Sequence, residues 1–412
     1  MLKRNKVMRF GLAGLLLLAF LIYQIPPVRY ALEWRYEKYS TYLKNLVNPI
    51  GPAPTPLAFT PLPPAATNTP KPTEFMPTDA VFTATSTLPP LPAQVSLDPP
   101  KWEQQTPNNC GPATLSMALH MYGWDGNQGD IAGQIKPVTG DRNVNPEELV
   151  YYVRNFAGWL NIQYRVNGNI TTLKRLIAAR YPTIIEGTTS LDPNDALGPN
   201  DDLWAAHYLL ITGYDDAAQT FTVQDSYHGA NRTVSYSQLE AEWEPFNYLY
   251  MFVYLPSEEA EIQSILGADF DEMQNRQAAL AASQNATAAN PGNPYAWFNL
   301  GSNLVYFERY NEAAQAYDQA RSLGLPLRMF RYQFGPFIAY FQSNRIDDLL
   351  ALTTYAKSVT EMSEEAWLWH GWALYRRNDI KGALAAWNKA ISINDSSYVD
   401  AYHAIDFVNQ NQ

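Results

Sequence analysis

The only cysteine of the chain, Cys110, stands where a turn passes into a helical pattern. It lies in the stretch QQTPNNCGPATLSMALHMYG, in which the asparagines and the Gly-Pro pair indicate a turn. A helix N-terminus lowers the pKa of a thiol, because the dipole and the free N–H groups favour the thiolate. Such a thiolate can attack a carbonyl carbon, so the position suits covalent acyl transfer. A buried structural cysteine is the alternative.

A nucleophilic cysteine needs a base, and histidine is the residue that suits this role near neutral pH. The five histidines of the chain are His120, His207, His228, His370 and His403. His370 and His403 fall in a helical repeat region, and His120 lies about 15 Å along the helix of the cysteine itself. His207 opens a strand pattern, whereas His228 lies in the polar stretch SYHGANR. A strand holds a side chain more rigidly than a loop, which favours His207 as the base.

An aspartate on the neighbouring strand can orient this histidine. The strand patterns HYLLITGY and TFTVQDS flank DDAAQ, which predicts a β-hairpin. With the turn centred on Asp216, His207 lies directly opposite Asp225, and with the turn centred on Ala217 the two residues are diagonal neighbours on one face. In both registers the carboxylate can fix the imidazole tautomer. A slip of one residue would put the two side chains on opposite faces.

These segments together resemble a known family. QQTPNNCGPA, HYLLITGYD and FTVQDS, in this order, resemble the papain-like cysteine peptidases of the bacteriocin-leader-processing (double-glycine peptidase) family. The resemblance covers about Trp102 to Pro256. It implies an α+β papain-like fold with Cys110 as nucleophile, His207 as general base and acid, and Asp225 as the orienting carboxylate.

The resemblance also implies an oxyanion donor. In this family a glutamine six residues before the nucleophile donates to the oxyanion hole, and that position is Gln104 here. The adjacent Gln105 is the alternative. The hole would combine the Gln104 amide with the backbone N–H of Cys110, both directed at the developing charge on the carbonyl oxygen. The chain has no phosphate-binding glycine loop like that of the export ATPases fused to well-known members, so we do not transfer their double-glycine specificity.

The elements that would position these residues form an α+β domain over residues 101–256. The segments NPEELVYYVRNFAGW and TTLKRLIAARY have amphipathic helical patterns. Strand patterns follow in PTIIEG, HYLLITGY, TFTVQDS and YLYMFVYL. We therefore predict helices early in the domain and an antiparallel sheet late in it.

Residues 257–412 have a helical pattern that repeats. Gly335 follows Gly301 by 34 residues, and Gly371 follows Gly301 by 70. Over roughly Asn293 to Asp395 the sequence resembles tetratricopeptide repeats, in which small residues let paired helices approach closely. The expectation is an all-α tetratricopeptide-repeat solenoid that binds a protein partner.

The N-terminal 100 residues are predicted to tether and space the protein. Four basic residues, Lys3, Arg4, Lys6 and Arg9, precede an apolar run over 10–23. This arrangement predicts a single transmembrane helix within residues 1–30. The positive-inside rule then places the N-terminus in the cytoplasm and everything downstream outside. A cleaved signal peptide is the alternative, but no small-x-small site follows the run. Residues 31–100 are a juxtamembrane segment and a disordered Pro/Thr-rich linker, with half of the 30 prolines of the chain over 49–100.

The sequence thus predicts a membrane-anchored, surface-exposed cysteine peptidase. The net charge of −11 argues against nucleic acid or an anionic membrane surface as the main partner. The expected partners are a peptide or protein substrate, a protein at the repeats, and the membrane through the N-terminal helix; no metal or organic cofactor is implied. Two alternatives are a cell-wall peptide amidase or endopeptidase on the same fold, and a catalytically inactive peptide-binding scaffold.

Overall fold

The N-terminal part of the chain is helical where it is described. The computed structural model describes residues 14–15, 17–57, 90–138, 140–395 and 400–410. Helix α1 spans Pro26–Val47 and follows a helical stretch over 17–23. No helix among the described residues combines the length and the apolar character needed to cross a membrane. Residues 1–13 and 16 of the predicted anchor, and 58–89 of the predicted linker, lie outside the described residues.

The region from residue 90 to residue 256 contains helices and strands in an α+β arrangement. Its helices are α2 (Cys110–His120), α3 (Gln128–Ile135), α4 (Pro146–Phe156), α5 (Ile170–Ala178) and α6 (Tyr236–Trp243). Its strands are β1 (Gln94–Ser96), β2 (Asn161–Arg165), β3 (Thr183–Ser190), β4 (Trp204–Asp215), β5 (Thr220–Asp225), β6 (Gly229–Ser235) and β7 (Tyr250–Tyr254). The predicted order of early helices and a late sheet is confirmed. β1, β2, β6, α3 and α6 were not predicted, and β6 replaces part of a predicted polar loop.

The seven strands of this described region form one antiparallel sheet that is buried on both faces. Its order is β2-β7-β3-β4-β5-β6, and β1 pairs with the end of β4. Successive residues of a strand point to opposite faces, and here both faces carry a core. The residue pairs that divide in this way are Ile184 and Ile185, Leu210 and Ile211, and Met251 and Phe252. The sheet is therefore a rigid support for side chains at the ends of its strands.

Helix α2 packs on one of these faces and is itself buried on nearly all sides. Its residues from Gly111 to Leu119 are buried, and Thr114 Oγ1 donates to the Tyr208 carbonyl of β4 at 3.1 Å. Burial of residues 111–119 fixes the N-terminus of the helix against β4. The strand β1 extends the sheet with residues that the sequence assigned to the linker, and Val95 pairs with Tyr214.

The chain from residue 257 onward is helical. Its helices are α7 (Glu259–Leu266), α8 (Glu272–Ala289), α9 (Pro294–Tyr306), α10 (Tyr310–Leu323), α11 (Met329–Tyr332), α12 (Gly335–Gln342), α13 (Ile346–Val359), α14 (Glu364–Arg376), α15 (Ile380–Ile393) and α16 (Asp400–Gln410).

Two glycines explain how neighbouring helices of this region come close. A Cβ on Gly301 of α9 would lie 2.6 Å from the Tyr317 ring of α10, and a Cβ on Gly371 of α14 would lie 2.3 Å from the Trp387 ring of α15. Only glycine lets these aromatic rings pack against the facing helix. A helical C-terminal region is thus confirmed, and its assignment to tetratricopeptide repeats stays a prediction.

Polar side chains join the helical region to the sheet domain. Asn247 Nδ2 donates to Asn303 Oδ1 at 2.8 Å, and both residues are buried. Asn299 Nδ2 donates to the Glu244 carbonyl at 2.8 Å. Buried amides must be hydrogen-bonded to be tolerated, so these contacts favour one relative placement of the two regions.

Acidic side chains meet at the same interface. Asp141 and Glu148 of the sheet domain are buried close to Glu364 and Glu365 of α14. Burial, which excludes solvating water, raises the pKa of Asp141 to about 7. It also raises the pKa of Glu148 and of Glu364 well above the ordinary range, and in each case neighbouring carboxylates add to the effect. The interface therefore favours protonated carboxyl groups.

The free energy of unfolding should consequently fall as the pH rises. The folded-state pKa of Asp141 exceeds its unfolded value of about 3.9, so the folded state binds the proton more tightly and loses this advantage as pH rises through about 7. We expect Asp141→Asn to remove on the order of 2 kcal/mol of this pH dependence between about pH 5 and pH 8. Urea denaturation at a series of pH values measures it. The control Asp98→Asn, at an exposed carboxylate, should keep the wild-type slope.

Candidate active site

The thiol of Cys110 lies at the first residue of α2 and faces a cavity. Asn109 occupies the N-cap position without a side-chain cap hydrogen bond, and Pro112 lies in the first turn, where no backbone N–H is needed. Cys110 is partly exposed and lines a cavity of about 230 Å³ together with His207 and Gln104. The sulfur is therefore accessible to a ligand in this cavity, unlike that of a structural cysteine sealed in a core.

His207 and Asp225 form a buried pair beside this thiol. His207 Nε2 lies 2.8 Å from Asp225 Oδ1, and the two residues are only 3% and 2% exposed. Because Nε2 is engaged by the carboxylate, Nδ1 is the ring nitrogen left for the sulfur, and the Cys110 and His207 side chains line the same cavity. The structure thus brings together the three residues in the order Cys110, His207, Asp225.

The register that produces this pair differs from the expected one. The hairpin centred on Asp216 is wrong: next to the turn, Asp215 pairs with Thr220 and Gly213 with Thr222. The register shifts at a bulge between Ile211 and Gly213, and beyond it Leu210 pairs with Gln224. This later register equals the alternative hairpin centred on Ala217, in which His207 is a diagonal neighbour of Asp225.

The bulge is what puts the imidazole and the carboxylate on one face. Without the bulge, the register next to the turn would continue. Asp225 would then lie an odd number of positions from the residue opposite His207, and the two side chains would point to opposite faces. The extra residue at the bulge is Thr212, whose hydroxyl oxygen accepts a hydrogen bond from Gln224 Nε2 at 3.0 Å. A single inserted residue thus decides whether His207 and Asp225 lie on the same face of the sheet.

Four donors stabilise the Asp225 carboxylate in its charged form. Besides the imidazole, Oδ1 accepts from the backbone N–H groups of Tyr227 and His228, each at 2.9 Å, and Oδ2 accepts from Arg232 Nη1 at 2.7 Å. Burial alone would raise the pKa of this carboxyl, but the hydrogen bond and charge of His207 and the two backbone donors hold it well below its usual range. Asp225 is therefore ionised at neutral pH and favours a protonated imidazole.

The site lowers the pKa of the Cys110 thiol and raises the pKa of the His207 imidazole. Burial raises the pKa of Cys110, but the hydrogen bond and charge of His207, the Tyr208 backbone N–H and the charge of Lys136 lower it more. Burial lowers the pKa of His207, but its hydrogen bonds to Asp225 and Cys110 raise it to about 9. A thiolate beside an imidazolium is the pairing that both directions favour.

The other histidines in question lie away from the sulfur. His228 Nε2 is 3.0 Å from Thr189 Oγ1, and burial lowers its pKa. His120 Nε2 is 2.7 Å from the Gly126 carbonyl oxygen, and its ring stacks on Trp124. The geometry thus favours His207 over His228 as the base.

Two adjacent glutamines line the same cavity as the thiol. Gln104 is exposed, and its side-chain amide has no partner in the part of the chain that the structure describes. Gln105 is held in place, because its Oε1 accepts from Ser226 Oγ at 2.9 Å and its backbone N–H donates to the Ser226 carbonyl. The amide Nε2 of Gln105 is thereby oriented, whereas that of Gln104 is free to turn towards a bound carbonyl.

Residues 96–251 match the Peptidase_C39 like family. This match confirms the resemblance to that peptidase family, and it supports a cysteine peptidase-like domain over the sheet, α2 and the candidate triad. No curated protein matches the chain.

Three solved structures show partial similarity to the chain. One is a C39-like peptidase from Bacillus anthracis, at 17% identity and a TM-score of 0.32, with 39% of this chain and 97% of that chain covered. Another is the MamA RS-1 ArsTM double mutant, at 13% identity and a TM-score of 0.28, with 34% and 75% covered. The third is YrrB, described as a TPR protein with an unusual peptide-binding site, at 16% identity and a TM-score of 0.19, with 36% and 90% covered.

Substitution tests the expectation that a glutamine of this peptidase-like domain donates to an oxyanion. We expect Gln104→Ala to lower kcat about 100-fold with little change in KM, because the donor matters only when charge develops on the carbonyl oxygen. Steady-state kinetics on a cleaved peptide measures the effect, and Gln105→Ala is the matched control. A large loss in the Gln105 variant alone would transfer the assignment to Gln105, which the structure holds in the more rigid position.

Residues distant in sequence complete the electrostatics of the peptidase-like domain. Lys136 Nζ donates to the carbonyl oxygens of Asn108 and Asp141, at 2.7 and 2.8 Å, and its charge favours the thiolate. Glu186 lies on β3 opposite Tyr208, and burial raises its pKa well above the usual range. A neutral Glu186 does not repel the thiolate. The sequence carried no signal for either residue, since neither lies in a motif.

The described residues contain no candidate metal site. No three His, Cys, Asp or Glu side chains there come close enough together to hold a metal ion.

Proposed function

We propose that this protein is a cysteine peptidase whose nucleophile is Cys110. The observation that carries the proposal is the buried 2.8 Å contact between His207 and Asp225 beside a partly exposed thiol at a helix N-terminus. The lowered pKa of the thiol and the raised pKa of the imidazole support the same assignment.

The chemistry follows from these positions. The Cys110 thiolate attacks the scissile carbonyl carbon, and the oxyanion that forms receives hydrogen bonds from the Cys110 backbone N–H and the Gln104 amide. His207 gives its proton to the leaving amine, so that the C–N bond breaks and an acyl-enzyme remains. His207 then takes a proton from water, which attacks the thioester carbon; the C–S bond breaks, the carboxylic acid is released, and Cys110 returns to the thiolate beside the imidazolium. Asp225 keeps the imidazole oriented throughout.

The location and the role of the helical region are part of the same proposal. The basic residues and the apolar run at the N-terminus support a membrane tether, with the peptidase-like domain and the helical region outside the cytoplasm. The repeated spacing of glycines supports a protein-binding role for residues 257–412. Protease treatment of intact cells, compared with lysed cells, tests the location.

A comparison of released peptide ends tests the proposed activity. Wild-type protein and Cys110→Ala are incubated with a proteome-derived peptide pool, and the new amino termini are identified by mass spectrometry. We expect new termini only with the wild type. Cleavage of purified cell wall but not of the pool would assign the wall-directed amidase or endopeptidase instead. If wild type and variant bind peptides equally and neither substrate is cleaved, the protein is a peptide-binding scaffold and the proposal is wrong.

A further inference from the structure

The cleft that contains the thiol is lined by parts of the chain outside the peptidase-like domain. Its wall includes Trp34 and Lys38 of α1, and Arg328, Arg331 and Tyr332 from the helical region. Substrate that reaches the sulfur therefore also meets these side chains. We propose that Arg331 binds a carboxylate of the substrate; this proposal rests on the proposed peptidase function and specifies its substrate.

The Arg331 guanidinium lacks an anionic partner. Arg331 is 6% exposed, its Nε donates to Thr360 Oγ1 at 2.7 Å, and its Nη1 lies 3.4 Å from the Tyr332 hydroxyl. Its Nη2 is buried and has no hydrogen-bond partner. Among the described residues no carboxylate comes within ion-pair distance of it, so one full positive charge in the cleft wall is uncompensated.

The neighbouring arginines differ from Arg331 in this respect. Arg142, in the same wall, pairs with the carboxylate of Glu37, and Arg328 pairs with that of Asp201. The charges of Arg142 and Arg328 act against that of Arg331: burial, with a smaller contribution from these two charges, lowers the pKa of Arg331 to about 10. Arg331 still carries its proton at neutral pH.

A carboxylate is the ligand that best fits this site. Burying a charged guanidinium without a counter-ion is costly, and a ligand carboxylate would remove much of that cost. The planar fork of arginine matches a carboxylate, and the unpaired Nη2 supplies a donor for it. The pairing of Arg142 with Glu37 shows that another arginine of this wall already binds a carboxylate from a different segment of the chain.

Either of two groups of a peptide can supply this carboxylate. One is the side chain of an internal aspartate or glutamate, and the other is the C-terminal α-carboxylate. Both present the same chemistry to Arg331, but the first makes the protein an endopeptidase with acidic specificity and the second restricts it to bonds near a free C-terminus. The experiment separates them.

Three peptide libraries provide the test. The first has one glutamate moved through an uncharged, acetylated and amidated octapeptide; the second has glutamine in its place; the third is the glutamine library with a free C-terminus. Binding to the full chain carrying Cys110→Ala is measured by calorimetry, and kcat/KM is measured with the wild-type thiol. We expect the first or the third library to be favoured over the second by about 10- to 100-fold, as for one charge-assisted hydrogen-bonded pair.

Variants identify the arginine responsible. Arg331→Gln should abolish the preference for a carboxylate, and Arg331→Lys should keep part of it, since lysine retains the charge but loses the fork. Arg345→Gln, at another buried arginine of the helical region that pairs with Asp318 and Asp348, should keep the full preference. Circular dichroism and thermal melting establish that each variant is folded. If Arg331→Gln does not fold, the carboxylate preference of Arg331→Lys, compared with that of the wild type, tests the role of Arg331.

The outcomes distinguish this inference from the proposed function. Cleavage that depends on Cys110 but does not distinguish the three libraries would overturn the carboxylate site and leave the peptidase intact. A carboxylate preference that persists in folded Arg331→Gln or is unchanged in Arg331→Lys would overturn the role of Arg331. Binding that prefers carboxylates through Arg331, without any cleavage by the wild type, would support the site and contradict the peptidase.

Discussion

Replacing His207 with alanine should lower kcat/KM for peptide hydrolysis by at least about 10⁴-fold at neutral pH, to the level of Cys110→Ala. The imidazole makes the largest contribution that lowers the pKa of the thiol. In the proposed mechanism it is also the acid that protonates the leaving amine. Its loss leaves a thiol whose pKa is raised by burial and lowered only by the Tyr208 backbone N–H and the charge of Lys136. Residual activity would come from binding and from the oxyanion donors alone.

His228 provides the matched control for this loss. It follows Asp225 closely in sequence, yet its Nε2 lies 3.0 Å from Thr189 Oγ1, and it is not among the residues that line the cavity of the sulfur. We expect His228→Ala to change kcat/KM less than about tenfold. A loss in His228→Ala as large as that in His207→Ala would contradict the assignment of the base.

Replacing Asp225 with asparagine should lower kcat by about 10³- to 10⁴-fold. Asparagine can still accept from the backbone N–H groups of Tyr227 and His228, so the loop should persist. It removes the charge that stabilises the imidazolium and can hold the wrong tautomer of His207. Full pH–rate profiles measure the loss in kcat and also test its cause. The alkaline limb, set by a His207 pKa of about 9, should move to lower pH in the variant, because the charge that stabilises the imidazolium is gone.

Asp216 tests whether the loss is specific to the triad. It lies at the turn of the same hairpin, where it accepts hydrogen bonds from Lys174 Nζ and the Tyr236 hydroxyl. Asp216→Asn removes a carboxylate of comparable structural involvement that is not in the cleft. Its kcat should stay within about threefold of the wild type. Equal losses in Asp216→Asn and Asp225→Asn would indicate that the hairpin, and not the triad, is responsible.

The local parts of the fold were predictable because their signals are local. The continuous apolar run of β4 and the cap and proline at the start of α4 each fix an element within about ten residues. The sequence also pointed to His207 and Asp225 through the hairpin between them. The sequence left the register of the hairpin open. The bulge at Thr212 has no sequence signature, yet it determines on which face of the sheet every residue beyond it lies.

The walls of the cleft were not predictable for a different reason. Trp34 of α1 and Arg331 of α11 reach the cavity through packing between segments that are far apart in sequence. No motif or periodicity encodes such a meeting, and the same holds for Asp141 facing the carboxylates of α14. Charge patterns in single segments also do not reveal that the Arg331 side chain is left without an anion. Substrate specificity, if it resides in these walls, is therefore a property that only the tertiary structure exposes.

The reactivity of Cys110 as a function of pH tests the central claim most directly. Its rate of alkylation by iodoacetamide, followed by mass spectrometry from about pH 4 to pH 10, reports the thiolate fraction without any need for a substrate. We predict a rate that is already at a plateau well below the ordinary thiol pKa of about 8.5, and a His207→Ala variant that loses this plateau. A wild-type rate that follows an ordinary thiol, or that is unchanged by removal of the His207 imidazole, would contradict the account.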